Sequence, residues 1–167
     1  NYQQLRTDLS KRGYPFRTDS DTEVVVQGYC ADGVGILEDL LGMFALAVWD
    51  VAKRRLLLAR DRVGQKPLYY AKLPEGLLFA SEIKALLQYP NLPREINYDA
   101  LHEYFIYQSI PDPLTIFKQI HKLPPGHFLT CDTEGNLAIK RYWRWQLAEP
   151  QPTKLSYNEA IDQTRAL

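Results

Sequence analysis

Two carboxylates stand where this chain could do chemistry. Asp21 lies in Ser20-Asp21-Thr22-Glu23, which has the form of a capping box opening a helix. A carboxylate in the first turn of a helix is held rigidly and can face a cation, although an acidic residue there also complements the helix dipole. Asp61 sits between Arg60 and Arg62, in the run Arg60-Asp61-Arg62-Val63-Gly64-Gln65-Lys66-Pro67. Its neighbours predict a structural ion pair that orients this loop. Gly64 supplies a backbone conformation other residues disfavour, and Lys66 is a candidate contact to a second domain. Glu23 is expected as the reciprocal cap of Ser20.

The nucleophile inventory is short. Cys30 and Cys131 are the only cysteines, far apart and without CxxC spacing, so they read as two free thiols in a reducing cytoplasm. His102, His121 and His127 share no metal-like spacing, and no metal site is expected. Gly28, Gly33 and Gly35 do not form a phosphate loop, since no strand precedes them and no Lys-Ser/Thr follows.

The elements that must position these residues follow from periodicity. Leu5 and Leu9 predict a first helix ending at Gly13. A second runs from Ser20 through Tyr29, and a short amphipathic turn carries Ile36, Leu37, Leu40 and Leu41. Strands are expected near residues 43–50, 54–60, 68–72 and 77–80, with turns at 50–53, 62–67 and 74–76. Most of these strands are apolar on both sides, which requires cover on both faces, hence a sheet sandwiched between layers. Ser81 is placed to cap a helix carrying Ile83, Leu86 and Leu87, and Tyr98–Tyr107 reads as an aromatic-rich helix broken by Pro111 and Pro113. Its Tyr104, Phe105 and Tyr107, like Trp143 and Trp145 further on, are expected to serve packing in the core or between domains. A tight turn at Pro124-Pro125-Gly126 and a last strand over 137–145 complete the domain. Residues 147–154 read as a linker. Ser156-Tyr157-Asn158-Glu159 is a second capping box, opening a helix of a further domain.

Composition sets the limits. At 167 residues, 46% hydrophobic and 24% charged, the chain is globular. Twenty basic residues balance twenty acidic ones, so neither a nucleic-acid nor a membrane-surface partner is indicated. No apolar run approaches the ~20 residues that cross a bilayer. The opening residues are already in helical periodicity, and the single Met is Met43, which reads as the interior of a longer chain.

Taken together, Ser20-Asp21-Thr22-Glu23, Gly42-Met43-Phe44-Ala45, Arg60 through Tyr70, Phe79-Ala80-Ser81-Glu82-Ile83-Lys84-Ala85-Leu86 and Lys122-Leu123-Pro124-Pro125-Gly126-His127 closely resemble glutamine-hydrolysing asparagine synthetases. The match is to their N-terminal class II glutamine amidotransferase domain and covers almost the whole chain. The resemblance implies an α+β fold of the N-terminal-nucleophile type, a four-layer αββα sandwich of two antiparallel sheets between helices, here without its opening segment. It implies residues 1–146 as the amidotransferase domain and 147–167 as linker and first helix of an ATP-dependent synthetase domain.

In that family an N-terminal cysteine attacks the side-chain amide of glutamine, with its own α-amino group as base. The ammonia released reaches a second domain, where ATP has converted aspartate to an adenylate, and asparagine forms. By resemblance, Asp21 binds the α-ammonium of glutamine. The catalytic cysteine, the substrate-binding arginine, the oxyanion-hole residues and the ATP-binding loop have no counterpart in this sequence, so no residue here is assigned as catalytic. Neither Cys30 nor Cys131 is N-terminal, and this chain by itself is expected not to hydrolyse glutamine. The parent protein is expected in the cytoplasm, with glutamine, aspartate and ATP as its small molecules and Mg²⁺ accompanying ATP; a homodimer stays open. Two alternatives remain: a related amidotransferase with another acceptor in a specialised pathway, and an inactive scaffold.

Overall fold

The structure, a computed structural model, describes residues 1–145 and 155–165, so the expected linker at 147–154 lies outside the described residues. Helix α1 (Tyr2–Lys11) ends as its sequence predicts. Gly13 takes φ +89°, its amide donates to Ser10 O at 3.0 Å, and the Tyr14 amide donates to Leu9 O at 3.1 Å. These two bonds satisfy carbonyls that a helix end leaves open. Helix α2 (Asp21–Asp32) follows, then a 3-10 turn (Gly33–Gly35) and the single turn α3 (Ile36–Asp39).

Two antiparallel hairpins come next and separate into two sheets. Strands β1 (Ala45–Asp50) and β2 (Arg55–Arg60) belong to one; β3 (Tyr69–Leu73) and β4 (Gly76–Ala80) belong to the other. Helix α4 (Ile83–Leu86), helix α5 (Tyr98–Tyr107) and the two-residue β5 (His121–Lys122) lead to β6 (His127–Asp132) and β7 (Leu137–Arg141). A separate helix α6 (Tyr157–Arg165) closes the chain. The first sheet runs β1-β2-β6-β7 and the second β4-β3-β5, with every pairing antiparallel.

Three apolar layers hold the sheets in place. Between them, Leu58 of β2 and Leu129 of β6 meet Tyr70 of β3, Leu68 and Leu123. On the outer face of the first sheet, Ala59, Leu46 and Phe128 are covered by Leu5, Val25, Ile36 and Leu37 from the helical layer. On the outer face of the second, Ala71 and Leu73 pack on Leu86, Leu92 and Ile120. This is the expected helix–sheet–sheet–helix sandwich. It explains why Leu58 and Ala59, successive residues pointing to opposite faces, are both wholly buried. Each buried leucine contributes about 1.5–3 kcal/mol of burial free energy.

The structure differs from the sequence expectation at several elements. Cover on both faces holds for β2 and β3, whereas β1 and β4 are edge strands made of half-buried and exposed residues with no fully buried position. Strand β6, central in its sheet, has a mixed run of apolar and polar residues that no simple pattern flags. The last strand stops at Arg141 rather than continuing to Trp145. Ser81 does not cap α4; Glu82 occupies that position and makes no side-chain cap bond. The Ser156 box does form: the Glu159 carboxylate accepts from the Ser156 amide at 2.8 Å and from its hydroxyl at 2.7 Å.

Candidate functional site

Asp21 occupies the first position of α2. Ser20 caps that helix with extended backbone (φ −74°, ψ 138°), and its Oγ accepts the Thr22 amide at 3.2 Å. Glu23 does not reach back to Ser20 as a reciprocal cap would. Instead its carboxylate gathers the preceding loop, accepting from the Arg17 amide at 2.9 Å, the Thr18 amide at 2.7 Å and the Thr18 hydroxyl at 2.6 Å. These bonds, the Thr18 hydroxyl foremost, hold its pKa below the ordinary value. Glu23 thus fixes the entry to α2 and hence the direction of Asp21.

The Asp21 carboxylate is exposed and, among the described residues, has no ion-pair partner and accepts one hydrogen bond, from the Thr22 hydroxyl at 3.4 Å. It stands at the rim of an open depression of about 500 Å³. One wall is the first turns of α2, a second is residues 40–44, and the floor is the free edge of β1. The 40–44 wall is pinned by Asn1, whose Nδ2 donates to Asp39 O at 2.8 Å and whose Oδ1 accepts the Leu41 amide at 2.9 Å. A carboxylate beside unpaired strand edge and an apolar wall suits a small molecule that carries an ammonium group. Arginine, lysine, cysteine and histidine are all missing from the residues lining it.

The two thiols lie elsewhere. Cys30 is exposed in the last turns of α2. Cys131 is half-buried on β6 against the inter-sheet core, and its thiol donates to Asp132 O at 3.5 Å. Burial first, and the Asp132 charge second, push that thiol's pKa up, which is unfavourable for a nucleophile. The histidines are also apart: His102 on α5, His121 on β5 against the Tyr70 ring at 5.5 Å, and His127 with Nδ1 2.7 Å from Pro125 O.

Asp61 contradicts the expected ion pair. It is fully buried, and no cation pairs with it among the described residues. Its Oδ1 accepts the amides of Val63 at 3.2 Å and Gln65 at 2.9 Å, and its Oδ2 the amide of Lys66 at 2.9 Å. Burial pushes its pKa up, but the amide bonds outweigh burial and hold the carboxyl below its ordinary range. The cation is used separately. Arg60, 8% exposed, donates to Lys66 O, Gly64 O and Leu123 O at 2.8–2.9 Å and pairs with Asp112 at 3.4 Å. Lys66 itself is exposed.

The loop also reaches the depression. The Asp61 amide donates to the carbonyl of Phe44, which lines it, and Arg62 Nη2 donates to Glu38 O at 2.7 Å. On the other side Arg62 lies over the Trp143 ring at 5.7 Å. Asp61 does orient its loop as expected, but through backbone amides and not through an ion pair; a carboxylate flanked by two arginines looks paired in one dimension.

The architecture has solved counterparts. Glutamine phosphoribosylpyrophosphate amidotransferase from Bacillus subtilis superposes with a TM-score of 0.57 at 20% identity, over 86% of this chain and 27% of that one. The fold is therefore of the N-terminal-nucleophile amidotransferase type. Within that class, residues 1–143 match the glutamine amidotransferase domain family, and the chain belongs to it. It is 38% identical over its whole length to asparagine synthetase [glutamine-hydrolyzing] 3 of Bacillus subtilis, covering 27% of that protein. It is 37% identical to asparagine synthetase [glutamine-hydrolyzing] 2 of the same organism over 152 residues, 87% of this chain and 20% of that protein. The chain thus spans about a fifth to a quarter of the length of these relatives.

Proposed function

We propose that this chain is the glutamine-handling part of a glutamine-dependent asparagine synthetase. Glutamine is hydrolysed to glutamate and ammonia, and the ammonia passes to an ATP-activated aspartate. The observation that carries this reading is the unpaired Asp21 carboxylate, held by the Ser20 cap and the Glu23 tether at the mouth of a depression sized for an amino acid.

Asp21 takes the α-ammonium of glutamine, and the β1 edge and the 40–44 wall receive the rest of the molecule. No cysteine, arginine or lysine lines the depression, so the attacking thiol and the cation for the α-carboxylate belong to other parts of the parent protein. The 167-residue chain alone is accordingly inactive toward glutamine. Residues 147–167, with the capped helix α6, open the synthetase part, where ATP and Mg²⁺ act. No helix among the described residues is long and apolar enough to cross a membrane, and the parent enzyme works in the cytoplasm.

Purified full-length protein tests the reading in two steps. Glutamine should raise its Tm, and Asp21→Ala should remove that shift; no shift in either protein would favour a scaffold. With glutamine, ATP and aspartate together, asparagine should form. Glutaminase activity without asparagine would assign the ammonia to another acceptor.

A further inference from the structure

Helix α1 opens with a residue whose side chain is not used on its own helix. Asparagine is among the strongest N-cap residues, because its side-chain oxygen accepts an amide of the first turn. Asn1 stands at the N-cap of α1, and its carbonyl accepts the Gln4 and Leu5 amides at 3.1 and 3.2 Å, yet its side chain makes no cap bond. The carboxamide turns to the 40–44 wall of the depression instead. Nδ2 donates to Asp39 O at 2.8 Å and Oδ1 accepts the Leu41 amide at 2.9 Å, across 38 and 40 residues of sequence. A carboxamide carries donor and acceptor in one plane, as a peptide group does, so this single side chain pairs with the wall as a neighbouring strand would.

The wall needs such a hold. It connects α3 to β1 without regular structure. The loop after β2 grips its two ends: Arg62 Nη2 donates to Glu38 O at 2.7 Å, and the Asp61 amide donates to Phe44 O at 2.9 Å. Leu40 is buried with Ile36, Leu37 and Ala59, which fixes the wall from behind. Beyond it Gly42 turns at φ +124°, and Leu41 and Met43 are exposed by 53 and 62%. Gly42 and Met43 make no hydrogen bond among the described residues. The Leu41 amide, held by Asn1, is therefore the last fixed backbone group before that turn. Asn1 thus decides where Leu41, Gly42 and Met43 stand along the depression that Asp21 borders.

We infer that Asn1 is a positioning residue for glutamine hydrolysis, its side chain holding the 40–44 wall where it receives the part of glutamine beyond the ammonium. This rests on the proposed reading of the depression as the glutamine site. Two observations separate the role from helix capping. The carboxamide makes no bond to its own helix, and both its bonds end on the backbone of one wall segment. Asp21 and Asn1 then divide the work: one reads the ammonium, and the other sets where the remainder lies. A serine hydroxyl is a comparable cap, but it has neither the reach nor the paired donor and acceptor to bridge Asp39 O and the Leu41 amide.

Asn1→Ala and Asn1→Ser in the full-length protein test this, because the serine variant keeps a good cap and loses the wall. In both, kcat/KM for glutamine should fall at least about five-fold, since the wall leaves the geometry in which the amide is held. For the glutamine analogue without an α-amino group it should fall by the same factor, so the preference for the ammonium survives. Hydrogen exchange read by mass spectrometry should be at least about ten-fold faster for one amide within 38–44, with residues 2–11 changed by less than about three-fold. Wild-type activity in Asn1→Ser would overturn the inference and return Asn1 to capping. Loss of the ammonium preference in either variant would overturn it too, since the effect would then run through Asp21. Unchanged exchange over 38–44 would overturn it whatever the activity. If the wild type fails to hydrolyse glutamine, the proposed function falls, while faster exchange over 38–44 in both variants would still support Asn1 as the holder of the wall.

Discussion

Asp61 Oδ2 accepts the Lys66 amide at 2.9 Å, while the Lys66 carbonyl accepts Arg60 Nε at 2.9 Å. Two adjacent side chains of opposite charge thus grip the same loop from its two kinds of backbone group, and not each other. Truncating the acid leaves three amides in a buried site without an acceptor. Each costs about 1–3 kcal/mol if unsatisfied, so Asp61→Ala should destabilise by about 3–5 kcal/mol. Urea unfolding of the full-length protein, followed for the amidotransferase transition, checks this. A loss under about 1 kcal/mol would mean that water replaces the carboxylate.

The same carboxylate sets an acid limit. Its folded pKa lies below its ordinary value, so its contribution is complete above the unfolded pKa of ~3.9 and is lost as pH falls through the folded value. The stability gap between wild type and Asp61→Asn should therefore be flat from about pH 5 to 8 and shrink below about pH 4. A gap that instead grew with acid would show that the folded pKa is raised.

Gly64 gives a steric counterpart. It adopts φ +71°, and a Cβ there would lie 2.8 Å from Pro125 Cγ and 3.0 Å from Arg60 Cζ. Backbone strain of about 1–2 kcal/mol adds to displacement of a guanidinium that has no room to retreat. Gly64→Ala should cost at least about 2 kcal/mol and weaken the Arg60 anchor with it. Differential scanning calorimetry reads the loss.

How much of this was legible follows from what each signal encodes. Layering was legible because Leu58 and Ala59 announce two buried faces by composition alone, and α1 because Gly13 marks a helix end. Strand β6 was not: Thr130 and Cys131 sit half-buried between β2 and β7, where pairing with both neighbours overrides a weak pattern. Asp21 could be placed on its helix from local residues, because caps act within a few positions. The partners of Arg60 could not, since Leu123 and Asp112 are 63 and 52 residues away.

The thiols allow a separate check. Cys30 is exposed outside the depression, and Cys131 has its pKa raised by burial. Cys30→Ser should leave glutamine hydrolysis by the full-length protein unchanged, and the isolated 167-residue chain should release no ammonia. Coupled glutamate-dehydrogenase detection of ammonia decides both, and release by the isolated chain would reopen the search for its nucleophile.

Asp21 calls for a test that separates binding from shape. Because it is exposed at the first position of α2 and bonded only to Thr22, Asp21→Asn should leave Tm within about 2 °C of wild type. Its effect should fall on the ammonium of glutamine. Losing one charge-assisted pair is worth about 1.5–3 kcal/mol, so KM for glutamine should rise about ten- to hundred-fold with kcat much less affected. The control is 5-amino-5-oxopentanoate, which is glutamine without its α-amino group. Wild type should discriminate against it, and Asp21→Asn should lose that discrimination, because the group that reads the ammonium has gone. If the variant instead weakened both substrates equally, Asp21 would be holding the helix start in place, and the ammonium site would have to be sought elsewhere along the β1 edge.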